Sequence, residues 1–399
     1  MRTLVTFLGR SIRPADGYQH VAYELPDGSV QEAAFVGYAL ADTLGPDRLV
    51  ILGTTGSMWD QLLEAGRGTS LPDTDHETLM EAVDAEDVGQ AQLDTLAAAL
   101  TDSLGHSVTL ALIPSGLTEA DQAGVLDVLV RHVEDSDELY LDITHSYRHL
   151  PMLVVMAVLY LRALRPALTV QQVFYARLRQ REKRASVQAL GGILHFADWL
   201  MALQRTEVTG DYRPVADLIA DPDIAQALAA GSFKETIHQG QQARGDLRQA
   251  RQGLAERPLT GAGALFQPLL EERTDWVDRQ QLDQRQAAHA RAALAREDFL
   301  RAALYGFEAY VTRLVRRFGP VNPDPNHYAT REAARSEYEQ NGPANADWAA
   351  YKRLRGLRNV LAHGNQADGD IRPALQSRQS MRQMLGDCLD TLLPETPGP

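Results

Sequence analysis

The sequence predicts two architectures in one chain: an α/β Rossmann-like domain with a parallel sheet over residues 1–185, then an all-helical domain over residues 186–399. Three observations carry this reading. Short apolar runs of strand length alternate with helical segments through the first domain, as βαβ units do. Strand signals fade past about Arg184, where helical spacing takes over. The length, 399 residues, suits two or three domains, each large enough to bury its own core.

Arg2 to Leu8 reads as the first strand, ended by Gly9-Arg10. His20 to Leu25 and Ser29 to Ala34 alternate polar and apolar residues around Pro26-Asp27-Gly28, a hairpin signal. Phe35 to Leu44 is a helix stopped by Gly45-Pro46. Arg48 to Leu52 is a short buried strand running into Gly53-Thr54-Thr55-Gly56-Ser57, and His76 to Leu104 is helical up to Gly105. Val108 to Ile113 is a strand ending in Pro114-Ser115-Gly116, and Thr118 caps the helix that reaches His132. A strand from Glu138 to Ile143, a helix from about Pro151 to Leu164 and a last strand from Thr169 to Tyr175 complete the alternation. In the second domain Gly191 to Leu203, Tyr212 to Ala229, Phe233 to Leu254, Leu282 to Phe318 and Trp348 to Ala362 have helical spacing or composition. Tyr305, Phe307 and Tyr310 are read as packing that helical core, and His195, Asp198 and Trp199 as belonging to the domain junction.

Composition narrows the function classes. A net charge of −14 argues against bulk attraction to nucleic acid, so any RNA or nucleotide must be held by local basic clusters such as Arg177 to Arg184 and Tyr351 to Arg358. The single cysteine, Cys388, leaves no internal disulfide framework and points to a reducing cytoplasm. Met152 to Leu161, the longest apolar stretch, is too short to span a membrane and is expected to be a buried helix. No zinc-ligand spacing, dinucleotide glycine fingerprint, Walker A sequence or Gly-x-Ser-x-Gly elbow is present, and no metal is expected.

In an open parallel sheet, ligands bind where the strands end at their carboxyl side. Four turns should therefore share one crevice: Gly9-Arg10, Gly53 to Ser57, Ser115-Gly116 and Thr144 to His149. The last is the richest in donors, with Thr144, His145, Ser146, Tyr147, Arg148 and His149 leading into a helix whose first N–H groups favour anions. Taken singly, Thr144 reads equally as a helix cap and Asp142 as a tie for the turn.

The string Asp142-Ile143-Thr144-His145-Ser146-Tyr147-Arg148-His149-Leu150-Pro151 resembles the Asp-x-Thr-His-Gly signature of CRISPR-associated Rossmann fold (CARF) domains, with Ser146 in place of the glycine. The similarity extends to Thr6-Phe7-Leu8-Gly9, the hairpin around Tyr23 and Phe174-Tyr175-Ala176, covering roughly the first 180 residues. It implies a sensor of cyclic oligoadenylate, with cyclic tetra-adenylate ahead of the six-membered ring, bound across a two-fold axis between two CARF domains.

A second pattern lies near the other end. Leu354, Leu357 and Leu361 mark the buried stripe of a helix. Arg355, Asn359 and His363 form another stripe flanked by Arg358, and Gly364-Asn365 is a left-handed helix stop. His363 then sits at a helix C-terminus, where the dipole favours a cation. Around one phosphodiester, Arg358 would neutralise developing charge, His363 would move a proton, and Asn359 would position either the imidazole or the phosphate. Arg358-Asn359-Val360-Leu361-Ala362-His363 resembles the Arg-Asn-x-x-x-His form of HEPN ribonucleases, whose active sites are composite between protomers.

Together the two resemblances imply a cytoplasmic, metal-independent endoribonuclease activated by cyclic oligoadenylate. It would cleave single-stranded RNA through 2′-hydroxyl attack, as a homodimer or larger even-numbered assembly, in type III CRISPR antiviral defence. Two alternatives are a non-catalytic nucleotide-sensing regulator, with which the acidic net charge agrees, and a HEPN toxin ribonuclease sensing another nucleotide.

Overall fold

The computed structural model describes residues 1–10, 18–68, 70–135, 137–145, 147, 149–179, 183–319, 324–340, 342, 346–367 and 369–394. The chain forms two compact units, Met1–Ala197 and Asp198–Pro399. In the first, strands and helices run in the order β1 (Arg2–Phe7), β2 (Val21–Glu24), β3 (Val30–Ala33), α1 (Val36–Leu44), β4 (Arg48–Gly53), α2 (Asp73–Asp84), α3 (Gln90–Leu104), β5 (Ser107–Leu112), α4 (Glu119–His132), β6 (Glu138–Asp142), α5 (His149–Leu164), β7 (Thr169–Arg179) and β8 (Arg184–Ala189).

The strands make one eight-stranded sheet, ordered β3-β2-β8-β7-β6-β1-β4-β5. From β7 to β5 every neighbouring pair is parallel, whereas β8 runs antiparallel to β7. The hairpin β2–β3 extends that edge through a parallel pairing of β2 with β8. Both faces of the central strands are covered. In β1 and β4, Leu4, Leu49 and Ile51 join one hydrophobic cluster while Val5, Phe7, Val50 and Leu52 join the other. Burial on both sides is why these strands read as unbroken apolar runs.

Three expectations change. Thr169 to Tyr175 is not the last strand: β7 continues to Arg179 and β8 returns beside it, with Ala185 and Val187 buried against the sheet. The basic stretch from Arg177 to Arg184 hid this short hairpin, because its charges outweigh two small apolar residues in any composition reading. The helical stretch from His76 to Leu104 is two helices, broken at Glu86, where φ is +59°. Finally, α5 is not buried all round: Met152, Met156, Tyr160 and Leu164 are more than half exposed, four residues apart each time. An apolar sequence with no polar stripe cannot reveal which of its faces meets the sheet.

The second unit is helical. Helix α6 (Gly191–Thr209) begins in the first unit and continues into this one. It is followed by α7 (Arg213–Ala216), α8 (Pro222–Thr236), α9 (Gly240–Glu256), α10 (Ala262–Arg273), α11 (Leu282–Ala295), α12 (Phe299–Phe318), α13 (Tyr328–Gln340), α14 (Trp348–His363) and α15 (Arg378–Leu392). The longest of these, α12, buries Ala302, Ala303, Phe307, Tyr310, Leu314 and Val315, and α11, α14 and α15 pack around it. Among the described residues no helix is long and apolar enough to cross a membrane.

Candidate functional site

The carboxyl ends of β1, β4, β5 and β6 enclose a cavity of about 240 Å³ lined by Gly9, Arg10, Gly53, Thr54, Ser57, Ile113, Thr144, His145 and Tyr147. Its floor is built around Asp142, which is fully buried at the end of β6. Thr6 Oγ1 on β1 donates to Asp142 Oδ2 at 2.5 Å, and the backbone N–H of Thr144 donates to Oδ1 at 3.0 Å. The Thr144 hydroxyl also donates to Oδ1, at 2.5 Å, and accepts the N–H of Ala176 on β7 at 2.8 Å. Asp142 and Thr144 therefore stitch three adjacent strands, β1, β6 and β7, at the point where the turn departs. Burial pushes the Asp142 carboxyl above the usual carboxylate range, against the pull of the hydrogen bonds from Thr144 and Thr6.

His145 follows as the cavity's buried imidazole. Its ring stacks on Phe35 with centroids 5.9 Å apart, and burial lowers its pKa, so it is held neutral. Its Nε2 is buried without a hydrogen-bond partner among the described residues. Such an atom costs free energy until something binds it. Phe35 is a contributor that no sequence pattern singles out, since it lies far back on the chain before α1.

The other turns divide into residues that face the cavity and residues that shape it. Ser57 donates to the Leu8 carbonyl at 2.8 Å and accepts the Thr54 N–H at 2.9 Å, so its hydroxyl ties the end of β1 to the end of β4. Gly53 is required by packing: a Cβ there would lie 2.7 Å from the Trp59 ring. Thr55 and Gly56 do not line the cavity; Gly56 lies against Glu86. Arg10 is at the mouth, half exposed and ion-paired with Glu86. Ser115 and Gly116 also lie outside the lining. The Ser115 hydroxyl is taken by Asp121 at 2.6 Å and its carbonyl meets His149 Nε2 at 2.7 Å. Gly116, at φ +75°, leaves room for Leu150, whose side chain would be 2.8 Å from a Cβ. His149 opens α5 and stacks on the exposed Tyr147. Ser146 and Arg148 lie outside the described residues.

In the helical unit Tyr351, Leu354 and Leu357 are fully buried, which fixes the rotation of α14. Arg358 is half-buried; its Nη1 donates to Asn359 Oδ1 at 2.9 Å, and its guanidinium lies 5.4 Å from the centre of the Phe307 ring. The Nε of Arg358 is buried with no partner among the described residues. His363 is exposed at the last residue of α14, where Gly364 adopts the left-handed cap at φ +66° and donates to the Val360 carbonyl at 2.8 Å. Five residues of helix separate Arg358 from His363 by about 7.5 Å along the axis and about 140° around it, so the guanidinium, turned to Phe307, and the exposed imidazole leave α14 on different sides, with Asn359 between them. Arg355 is instead ion-paired with Glu339 at 2.8 Å.

These features define a class: a Rossmann-like α/β domain with a polar cavity at its strand ends, joined to an all-helical unit. Residues 3–179 match the family model described as the CARF domain of CRISPR system endoribonuclease Csx1. The chain is also 22% identical over 369 residues to CRISPR-associated protein MJ1674 of Methanocaldococcus jannaschii, an alignment covering 84% of this chain and 57% of that protein. The chain thus spans a little over half the length of that curated relative. The first unit of this chain matches a CARF domain, and the chain is similar to a CRISPR-associated protein.

Proposed function

We propose that this chain is a metal-independent endoribonuclease, switched on by cyclic oligoadenylate, that cleaves single-stranded RNA in type III CRISPR antiviral defence. The observation that carries the nuclease reading is the helix end formed by Arg358, Asn359 and the exposed His363. In the reaction the RNA's own 2′-oxygen attacks the adjacent phosphorus while the bond to the 5′-oxygen of the next nucleotide breaks. The products are a 2′,3′-cyclic phosphate and a 5′-hydroxyl. His363 transfers the proton at the attacking or leaving oxygen, and Arg358, aligned by Asn359 and Phe307, stabilises charge on the phosphoryl oxygens.

The ligand reading rests on the CARF cavity. A cavity of about 240 Å³ is small beside the 300–1,000 Å³ pockets of drug-sized ligands, so a ring of four adenylates exceeds one crevice. Two crevices facing across a two-fold axis would share it, which calls for a homodimer or a larger even-numbered assembly. The apolar stripe of α5, the helix that starts at this cavity, supplies a surface for such pairing.

The deciding experiment is cleavage of a fluorescent single-stranded RNA without divalent metal, with and without cyclic tetra-adenylate. Activation by the ring is expected, and His363→Ala should lower cleavage by roughly 10²–10⁴ while ligand binding persists. Full activity in that variant would remove His363 from the chemistry. Ligand binding with no cleavage of any RNA would make the chain a non-catalytic sensor.

A further inference from the structure

The helical unit holds a second polar cavity, of about 230 Å³, that the nuclease reading does not use. It lies between the C-terminal end of α8, the turn after α10, and α11. Four arginines line it, in two pairs of different standing. Arg273 is ion-paired with Glu207, and Arg291 with Asp390 at 2.7 Å. Arg279 and Arg296 have no hydrogen bond or ion pair to a side chain among the described residues, and the Nε of Arg296 is buried and unpartnered. Gly210, at φ +71°, packs directly on the Arg296 guanidinium and holds it in place.

The acids around the cavity do not neutralise this pair. Glu272 and Asp275 are on the exposed rim. Glu235 is on the inner wall, its side chain only 12% exposed, and burial pushes its carboxyl up to about 8. His289 Nδ1 is 3.8 Å from Glu235, and the His289 ring is packed between Trp276 and Tyr305, where burial holds it neutral. At neutral pH the cavity is thus lined by two guanidiniums without carboxylate partners, that of Arg296 with its Nε buried and unpartnered, together with a neutral carboxyl and a neutral imidazole. Two guanidiniums without carboxylates are a recognition device for a tetrahedral oxyanion.

We propose that this cavity is a phosphate-binding site in which Arg279 and Arg296 hold a small tetrahedral dianion. Free inorganic phosphate is the smallest ligand with this chemistry, and a space of about 230 Å³ admits it. The occupant assigned to it is free inorganic phosphate, and its lining shares no residue with the CARF cavity and does not include Arg358.

Calorimetric titration of the full chain with inorganic phosphate tests this. Saturable binding with Kd on the order of 1 mM or tighter is expected, weakened at least about tenfold in Arg296→Met and in Arg279→Met. Binding should persist in Arg10→Ala and Arg358→Ala, which remove cations at the other two candidate sites. Loss in either of those, with retention in Arg296→Met and Arg279→Met, would overturn the assignment. Tenfold tighter binding of adenosine 5′-monophosphate would overturn the assignment to free phosphate.

Glu235→Gln gives an arm that does not depend on the arginine variants folding. Sulfate, a dianion throughout the range, should bind wild type about tenfold more weakly at about pH 9 than at about pH 7, as Glu235 ionises, and Glu235→Gln equally at both. Identical pH profiles for the two proteins would place the anion elsewhere.

Discussion

Arg10, the cation at the mouth of the CARF cavity, is ion-paired to Glu86, which breaks the helical run between α2 and α3 in a left-handed conformation at φ +59°. Few residues other than glycine and asparagine hold that conformation without strain, and here it delivers a carboxylate to the place where a ligand phosphate would bind. Under the proposed function, Glu86 would compete with the ligand for Arg10. Glu86→Gln should tighten cyclic tetra-adenylate binding by about 2- to 5-fold, the scale of an exposed ion pair, and lower the ligand concentration needed for activation. Weaker binding in Glu86→Gln, measured by fluorescence anisotropy, would instead make Glu86 a positioning residue for Arg10.

Asp142 is the buried post to which the turn is tied. Replacing it with Ala leaves the Thr6 hydroxyl and the Thr144 N–H without their acceptor in the interior, a loss of about 2–4 kcal/mol. Denaturant unfolding of Asp142→Ala should show that loss together with abolished ligand binding. Unchanged stability would mean that water replaces the carboxylate, and that the cavity floor is wetter than its burial suggests.

How far these features were legible depended on whether they were local. β1, β4 and β6 were legible because strands buried on both faces are apolar without interruption, and Thr118 was legible as a cap because its bond to the Asp121 N–H closes within one turn. Strand polarity pointed to the crevice, but Thr55, Gly56, Ser115, Gly116 and His149, placed there on the same ground, are outside its lining. Glu86, Phe35 and Phe307 were not legible: each reaches its partner, Arg10, His145 or Arg358, across tens of residues. No spacing rule links such pairs, so only the fold brings them together. The same holds for Ser57 and Ser115, whose hydroxyls looked available to a ligand and are instead engaged by the Leu8 carbonyl and Asp121. The helix end at His363 was fully legible, since its register and its Gly364 stop are set within two turns.

Glu235 should leave a pH signature in stability. Its folded pKa, about 8, is above its ordinary 4.5, so the folded state favours the neutral acid. That contribution is complete below about pH 4.5 and is lost as pH rises through about 8. Glutamine does not titrate. The melting temperature of Glu235→Gln relative to wild type should therefore climb between about pH 4.5 and pH 8 and then level. His289, held down at about 3, works in the opposite direction: its contribution is present above its ordinary 6.5 and lost as pH falls towards about 3. A pH-independent difference between Glu235→Gln and wild type would show that the carboxyl is solvated.

Met152, Met156, Tyr160 and Leu164 put an apolar ridge on the open face of α5, with exposures of 72, 64, 53 and 59%. Residues four apart on a helix stack into one continuous ridge, and an exposed ridge of methionine, tyrosine and leucine is the surface that the proposed dimer would cover. The helix begins at His149, beside the CARF cavity, so pairing through α5 would bring two cavities near one axis. A carboxylate at the centre of that ridge would have to be desolvated to pair, whereas in the free chain it stays in water. Met156→Asp combined with Tyr160→Asp should therefore leave the unfolding transition of each chain within about 0.5 kcal/mol, as for other surface changes. The same variant should raise the dimer dissociation constant by at least about 100-fold in sedimentation analysis. Cyclic tetra-adenylate activation of RNA cleavage should fall in parallel, because half a ring in one crevice makes half the contacts. A variant that stays dimeric and fully activated would show that α5 faces solvent in the assembly and that the two-fold axis passes through a different face.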